Sequence, residues 1–270
     1  MALSAVALST LSAADLAPSP SRERANRILD EATAALGGEK FLAAKGLVSS
    51  GWIGSRQGEV SRLQRGKIYT LFTGDAAHQR YVYNKDESHV VLFNQNGGYE
   101  LTFRGARPLD PSLVSRYRED SRNNILNILH QRRTEPGLVA EYRGVTVCES
   151  QSGELIEIVS ADEKDPIVSV CFSSVTKLPV RQSYYRRHPL TRDRLEEVTV
   201  FARYFDAGDG VVWPRHTSRT SDGIPVSEMF LESVQANQNL SEDLFAIPGG
   251  TKPLKPIPSI ESAVLRLRAD

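Results

Sequence analysis

A chain of 270 residues with 40% hydrophobic content can bury a sizeable core, as one large domain or two ordinary ones. Lys+Arg and Asp+Glu each total 33, so no net field draws the protein to nucleic acid or to an anionic membrane. No segment approaches the ~20 apolar residues of a membrane span.

Residues 1–14 carry no charge and form a short apolar run ending in small residues, as a secretory core and cleavage site do, although the usual basic region is missing. Export to the periplasm is the expectation, with residues 1–20 a signal-like or disordered N-terminus. Ala25, Leu29, Ala32 and Leu36 recur at helical spacing and predict a helix over 22–36, ended by Gly37-Gly38. A short helical turn over 39–44 follows. Strand patterns then run over 46–54, 60–72, 78–85, 89–93 and 99–103, separated by turns rich in Gly, Asn and Asp.

A second helix is expected from Asp110 to Gln131. Asp110-Pro111 supplies its cap, Leu113, Tyr117, Ile125, Ile128 and Leu129 its apolar stripe, and Glu135-Pro136-Gly137 its stop. Its charged residues Arg116, Arg118, Glu119, Asp120 and Arg122 read as a solvated face. Seven strand patterns follow, over 138–149, 154–160, 167–173, 180–187, 194–205, 211–220 and 226–234. Beyond Gly249 a proline-containing tail, 249–270, reads as extended with a short helix at 260–268. Helix, strands, helix and more strands do not make alternating βαβ units. The expected fold is α+β: one domain over 21–248, a highly curved antiparallel sheet forming an incomplete, half-open β-barrel, with helices across its concave face.

Cys148 and Cys171 fall on strands expected to sit two apart, ~9–10 Å, beyond disulfide reach. Two buried free thiols are therefore expected.

The segments Ile28-Leu29-Asp30-Glu31-Ala32, Leu36-Gly37-Gly38, Val175-Thr176-Lys177-Leu178-Pro179-Val180-Arg181, Tyr204-Phe205-Asp206, Gly210-Val211-Val212-Trp213-Pro214 and Leu244-Phe245-Ala246-Ile247-Pro248 carry a resemblance. Through them the chain resembles the outer-membrane lipoprotein-sorting family of periplasmic carriers, the LolA/LolB-like superfamily, over roughly 22–248. The resemblance implies an unclosed barrel with helices as a lid, and a cavity that takes acyl chains in several relatives. It transfers no individual ligand-binding residue. With no lipobox cysteine near its start, the sequence reads as a soluble carrier.

Strand alternation nominates cavity-lining residues: Tyr81 with Tyr83; Tyr99, Leu101 and Phe103; Val170 and Phe172; and Phe230. Trp52 is a candidate rim residue, and Tyr117 and Leu129 come from the covering helix. Each could equally belong to a filled core. The basic, aromatic stretch around Arg181, Arg186 and Arg187 is a candidate patch for an anionic headgroup or a protein partner, against the simpler reading of an exposed hairpin. No GxSxG, P-loop, dinucleotide fingerprint or paired metal-ligand spacing occurs, so neither catalysis, cofactor nor metal is expected. The function expected is a non-enzymatic periplasmic carrier of a lipid or lipoprotein acyl chain. The alternative is an envelope protein-interaction module with a filled interior.

Overall fold

The computed structural model describes residues 19–256 except 58–59, 75–76, 84–85, 163 and 189–190, and omits the side chains of 55–62. The apolar run at 1–14 and the helix expected at 260–268 lie outside the described residues.

Two antiparallel meanders make one sheet of 13 strands. The first comprises β1 (Gly46–Gln57), β2 (Val60–Leu71), β3 (His78–Val82), β4 (His89–Asn94), β5 (Gly97–Thr102) and β6 (Gly105–Pro108). The second comprises β7 (Val139–Cys148), β8 (Gln151–Val159), β9 (Val168–Ser173), β10 (Pro179–Arg187), β11 (Arg194–Asp206), β12 (Val212–Ser221) and β13 (Ile224–Ala236). β1 pairs with β13, from Leu47 opposite Ala236 to Ser55 opposite Ser227, and this fuses the meanders. The pairing carries a bulge at Ser50/Gly51, where the chains approach so closely that a Cβ on Gly51 would lie 2.2 Å from the Phe230 carbonyl oxygen. Bulges recur between Tyr142 and Gly144, Pro179 and Arg181, and Arg219 and Thr220, and each bends the sheet. β6 and β7 remain at opposite edges, so the curved half-barrel stays open.

That strand order forces the chain between β6 and β7 to cross the full width of the sheet. The crossing segment is α3 (Pro111–Asn123), capped by Asp110, whose carboxylate accepts from the Ser112 amide at 2.8 Å. The single helix expected to Gln131 is broken. Asn124 is extended (φ −70°, ψ 127°) and caps a new start, α4 (Ile125–Asn127), which runs on as a π-helical turn, Ile128–Arg132. The break is a capping event: the Asn124 side chain accepts from the Leu126 amide, and Gln182 on β10 accepts from the Ile125 amide at 2.7 Å.

α1 (Pro20–Ala35) and α2 (Glu39–Ala43) also lie on the concave side. Ser19 caps α1, Pro20 opens it, and Ala25, Leu29, Ala32 and Leu36 are all buried as their spacing required. They join Phe41, Ile125, Ile128, Leu129, Ile156, Ile158, Val170, Phe172 and Phe201 in the main core. The Ser21 hydroxyl takes up both backbone groups of Tyr142 on edge strand β7, at 3.0 and 3.1 Å. A smaller core of Val82, Val90, Leu92, Leu101 and Ala106 lies on the convex face of the first meander. The 3-10 turn Glu242–Phe245 packs there: Asn94 donates to the Phe245 carbonyl at 2.7 Å and Arg80 to that of Leu244. Edge strand β6 is met by the tail, which exchanges bonds with Ala106 through Lys252 and Leu254.

The cysteines are buried as expected, but they are joined, with their Cα atoms 6.6 Å apart. The hairpin is tighter than the spacing suggested, with Cys148 opposite Gln151 rather than Leu155. Gly153 on the intervening strand makes the bridge possible, since a Cβ there would lie 2.3 Å from the Cys171 sulfur. The bridge closes a loop with a sequence separation of 23 residues. Loop-closure entropy for that length is worth ~3 kcal/mol. We expect Cys171→Ser to lower unfolding free energy by roughly 2–3 kcal/mol relative to the oxidised protein, measured by urea denaturation, and reductant to have no further effect on the variant.

Candidate functional site

The concave floor beneath α3 is not uniformly apolar. Pairs of residues spaced two apart point inward from successive strands: Leu47 and Ser49 on β1, Ile68 and Thr70 on β2, Gln79 and Tyr81 on β3. From the second meander come Gln182 and Tyr184, Thr199 and Phe201, Thr217 and Arg219, and Met229 and Leu231. With Tyr117, Asp120, Ser121, Asn124, Leu126 and Asn127 above, and Phe72, Trp213 and Pro214 at the side, they line a partly covered cavity of about 200 Å³.

α3 buries one residue, Asn123, and is held by polar and aromatic contacts. Tyr117 stacks on Phe93 at 3.9 Å between ring centres and donates to the Ala77 carbonyl. Asp120 accepts from the Tyr184 hydroxyl at 2.5 Å and from Arg219 at 2.7 Å. Glu197, with only 1% of its side chain exposed, accepts from Arg186 at 2.5 Å, from the Ser221 hydroxyl at 2.7 Å and from Arg116 of α3 at 3.4 Å. Arg122 reaches Asp165 and Glu135, and buried Arg132 binds the same two carboxylates. The face expected to be solvated therefore latches the helix to the sheet: Arg116, Asp120 and Arg122 turn inward, and Leu113 is left 53% exposed. Burial, and next the Asp120 charge, raise the Glu119 carboxyl above its ordinary range. The guanidinium contacts of Arg132 and Arg122 hold Glu135 below it.

Within the cavity the two charged residues, Asp120 and Arg219, satisfy each other. Ser49, Thr199 and Thr217 are 5%, 5% and 9% exposed, and their hydroxyls have no hydrogen-bond partner among the described residues. A hydrocarbon chain laid over them would strip their water at ~1–3 kcal/mol each. That cancels the ~0.8 kcal/mol gained per methylene for several methylenes.

The residues nominated from sequence are scattered by this geometry. Tyr81 and Tyr117 line the cavity, and Tyr83 stacks beside Tyr81 at 6.4 Å. Leu129, Val170 and Phe172 sit in the filled core towards α1. Tyr99 and Leu101 lie on the convex face, and Phe103 stands 86% exposed in a hairpin turn. Trp52 and Phe230 pair on the convex face, where Phe230 stacks on His216 and Trp52 lies under Arg65. The three arginines separate: Arg186 turns inward to Glu197, Arg181 pairs with Glu196 at 3.5 Å, and Arg187 donates to the Arg192 carbonyl. Among the described residues no cluster of His, Cys, Asp or Glu is arranged to hold a metal, and no helix is long and apolar enough to cross a membrane.

Three variants report on this arrangement and its surroundings. Glu197→Gln leaves the mostly buried Arg186 guanidinium without its carboxylate, and we expect a loss of about 3 kcal/mol in urea unfolding. Glu232→Gln, which breaks the exposed Arg65 pair, should leave the midpoint unmoved. His130 is wedged between Phe72, at 4.1 Å, and Phe41, at 5.2 Å, and burial lowers its pKa. Its stabilising contribution is complete above the ordinary imidazole value of about 6.5 and is lost as pH falls from there towards the lowered folded value. We expect His130→Phe to narrow the stability gap between about pH 7.5 and pH 5.5 without closing it, because His78 is also lowered by burial.

A scan of protein-family models finds no match to this sequence, and a search of curated proteins finds none. Solved structures do match. A domain assigned to outer-membrane lipoprotein sorting from Vibrio parahaemolyticus superposes with a TM-score of 0.55 at 13% identity, covering 83% of this chain and 97% of its own. A DUF1329 family protein from Desulfovibrio piger gives 0.55 at 12% identity, covering 82% and 97%. A LolA superfamily protein from Nitrosomonas europaea gives 0.53 at 12% identity, with the same coverage. The likeness spans nearly the whole of each neighbour and is one of fold: this chain shares with them the open antiparallel half-barrel, here with helices against its concave face.

Proposed function

We propose that the protein is a non-enzymatic carrier that shelters a lipid or the acylated end of a lipoprotein between the concave sheet and α3. The cavity under α3 carries this reading. It is partly covered by a helix attached through hydrogen bonds, ion pairs and one aromatic stack rather than by a buried apolar face. A polar latch exchanges protein partners for water at small net cost, so α3 can lift while the apolar core under α1 stays intact. In the closed state the cavity of about 200 Å³ is smaller than the ~300–1,000 Å³ of a drug-sized ligand site, so a ligand of lipid size requires that movement. The fold shared with a lipoprotein-sorting domain supports the same reading, and the Cys148–Cys171 bridge suits an oxidising compartment such as the periplasm.

The small closed volume also favours a second reading, an envelope protein-interaction module with a filled interior. Native mass spectrometry after detergent-free purification separates the two. The carrier is expected to retain an adduct of lipid mass that organic extraction removes. A bare polypeptide mass, unchanged on incubation with lipid vesicles, would favour the module.

A further inference from the structure

We infer that the cavity floor receives an uncharged, hydroxyl-rich group, a sugar or a glycerol, so that the ligand enters head first with its chain towards α3. The inference rests on the carrier reading and specifies which end of the ligand the sheet grips. Ser49, Thr199 and Thr217 come from β1, β11 and β12, are more than nine-tenths buried, and present hydroxyls without a protein partner among the described residues. A hydroxyl both donates and accepts, so its natural complement is a group that does the same. A carboxylate only accepts and an ammonium only donates. Charge excludes them further: Asp120 and Arg219 are the charged residues of the lining, and both are already paired, with each other and with Arg116 and Glu197 respectively. An ionic head would therefore be buried without a counter-charge. Phe201, directly across from Thr217, and Trp213 at the side of the cavity offer apolar surface for the C–H face of a sugar ring. The cost of drying these hydroxyls under a hydrocarbon chain disappears when a polyol replaces their water.

The test uses Trp213 fluorescence in a Trp52→Phe background, which leaves a single tryptophan in the chain. The probes are dodecyl maltoside, dodecanoate and dodecylammonium, all below their micellar concentrations, together with maltose. We expect dodecyl maltoside to bind at least about tenfold more tightly than either ionic probe. Thr199→Val with Thr217→Val should erase that preference, and Thr199→Ser with Thr217→Ser should retain it, which separates lost hydroxyls from lost folding. Saturable binding of maltose alone also upholds the assignment and makes the source a free saccharide rather than a glycolipid. Equal or tighter binding of the ionic probes, or a preference untouched by the valine pair, overturns the head-first assignment and leaves the carrier reading standing. Failure of every probe to bind removes both.

Discussion

The pairing of β1 with β13 is the constraint on which the rest of the molecule hangs. Each meander could form locally, since its neighbours are consecutive in sequence and need only tight turns. The β1–β13 ladder joins strands about two thirds of the chain apart, and the closure entropy of that loop is repaid only by the long register they share. Once it forms, β6 and β7 are sent to opposite rims and the covering helix has to lie across the hollow. The roof over the cavity is thus a consequence of strand order, and the residues of α3 adapt it to its task.

That adaptation is unusual in its polarity. A helix covering a sheet ordinarily buries an apolar stripe, and α1 does so with Ile28 and Leu29. α3 instead reaches the sheet through Arg116, Asp120 and Tyr117. Apolar cover at one end and polar cover at the other divide the concave face into a permanently filled part and a part that can be wetted. The division falls at Asn124, where the helix breaks and its backbone is handed to Gln182.

The sequence made the architecture legible because strand length, turn residues and the α1 stripe are local signals. It misleads about the site because alternation does not say which set of side chains faces inward. On β11, Glu197, Thr199 and Phe201 point to the hollow, while Val198 and Val200 lie on the convex side. Tyr99 and Leu101 alternate correctly, yet they serve the convex core under the 3-10 turn Glu242–Phe245. A two-residue period fixes which side chains share a face and leaves open which face is covered. The disulfide escaped for a related reason: the tightness of a hairpin and the gap above Gly153 depend on a register that composition does not encode.

An unclosed sheet must dispose of two raw borders, and here the chain's own extremities do it. Ser21, near the start of α1, occupies the outward backbone groups of Tyr142 on one border, and the stretch around Lys252 to Leu254 occupies those of Ala106 on the other. Removing either extremity would expose unpaired amides and carbonyls that invite the same border of another molecule. Each flanking segment thus blunts its border at one residue, Tyr142 on one side and Ala106 on the other, and breaks the run of free backbone groups that a second sheet would need.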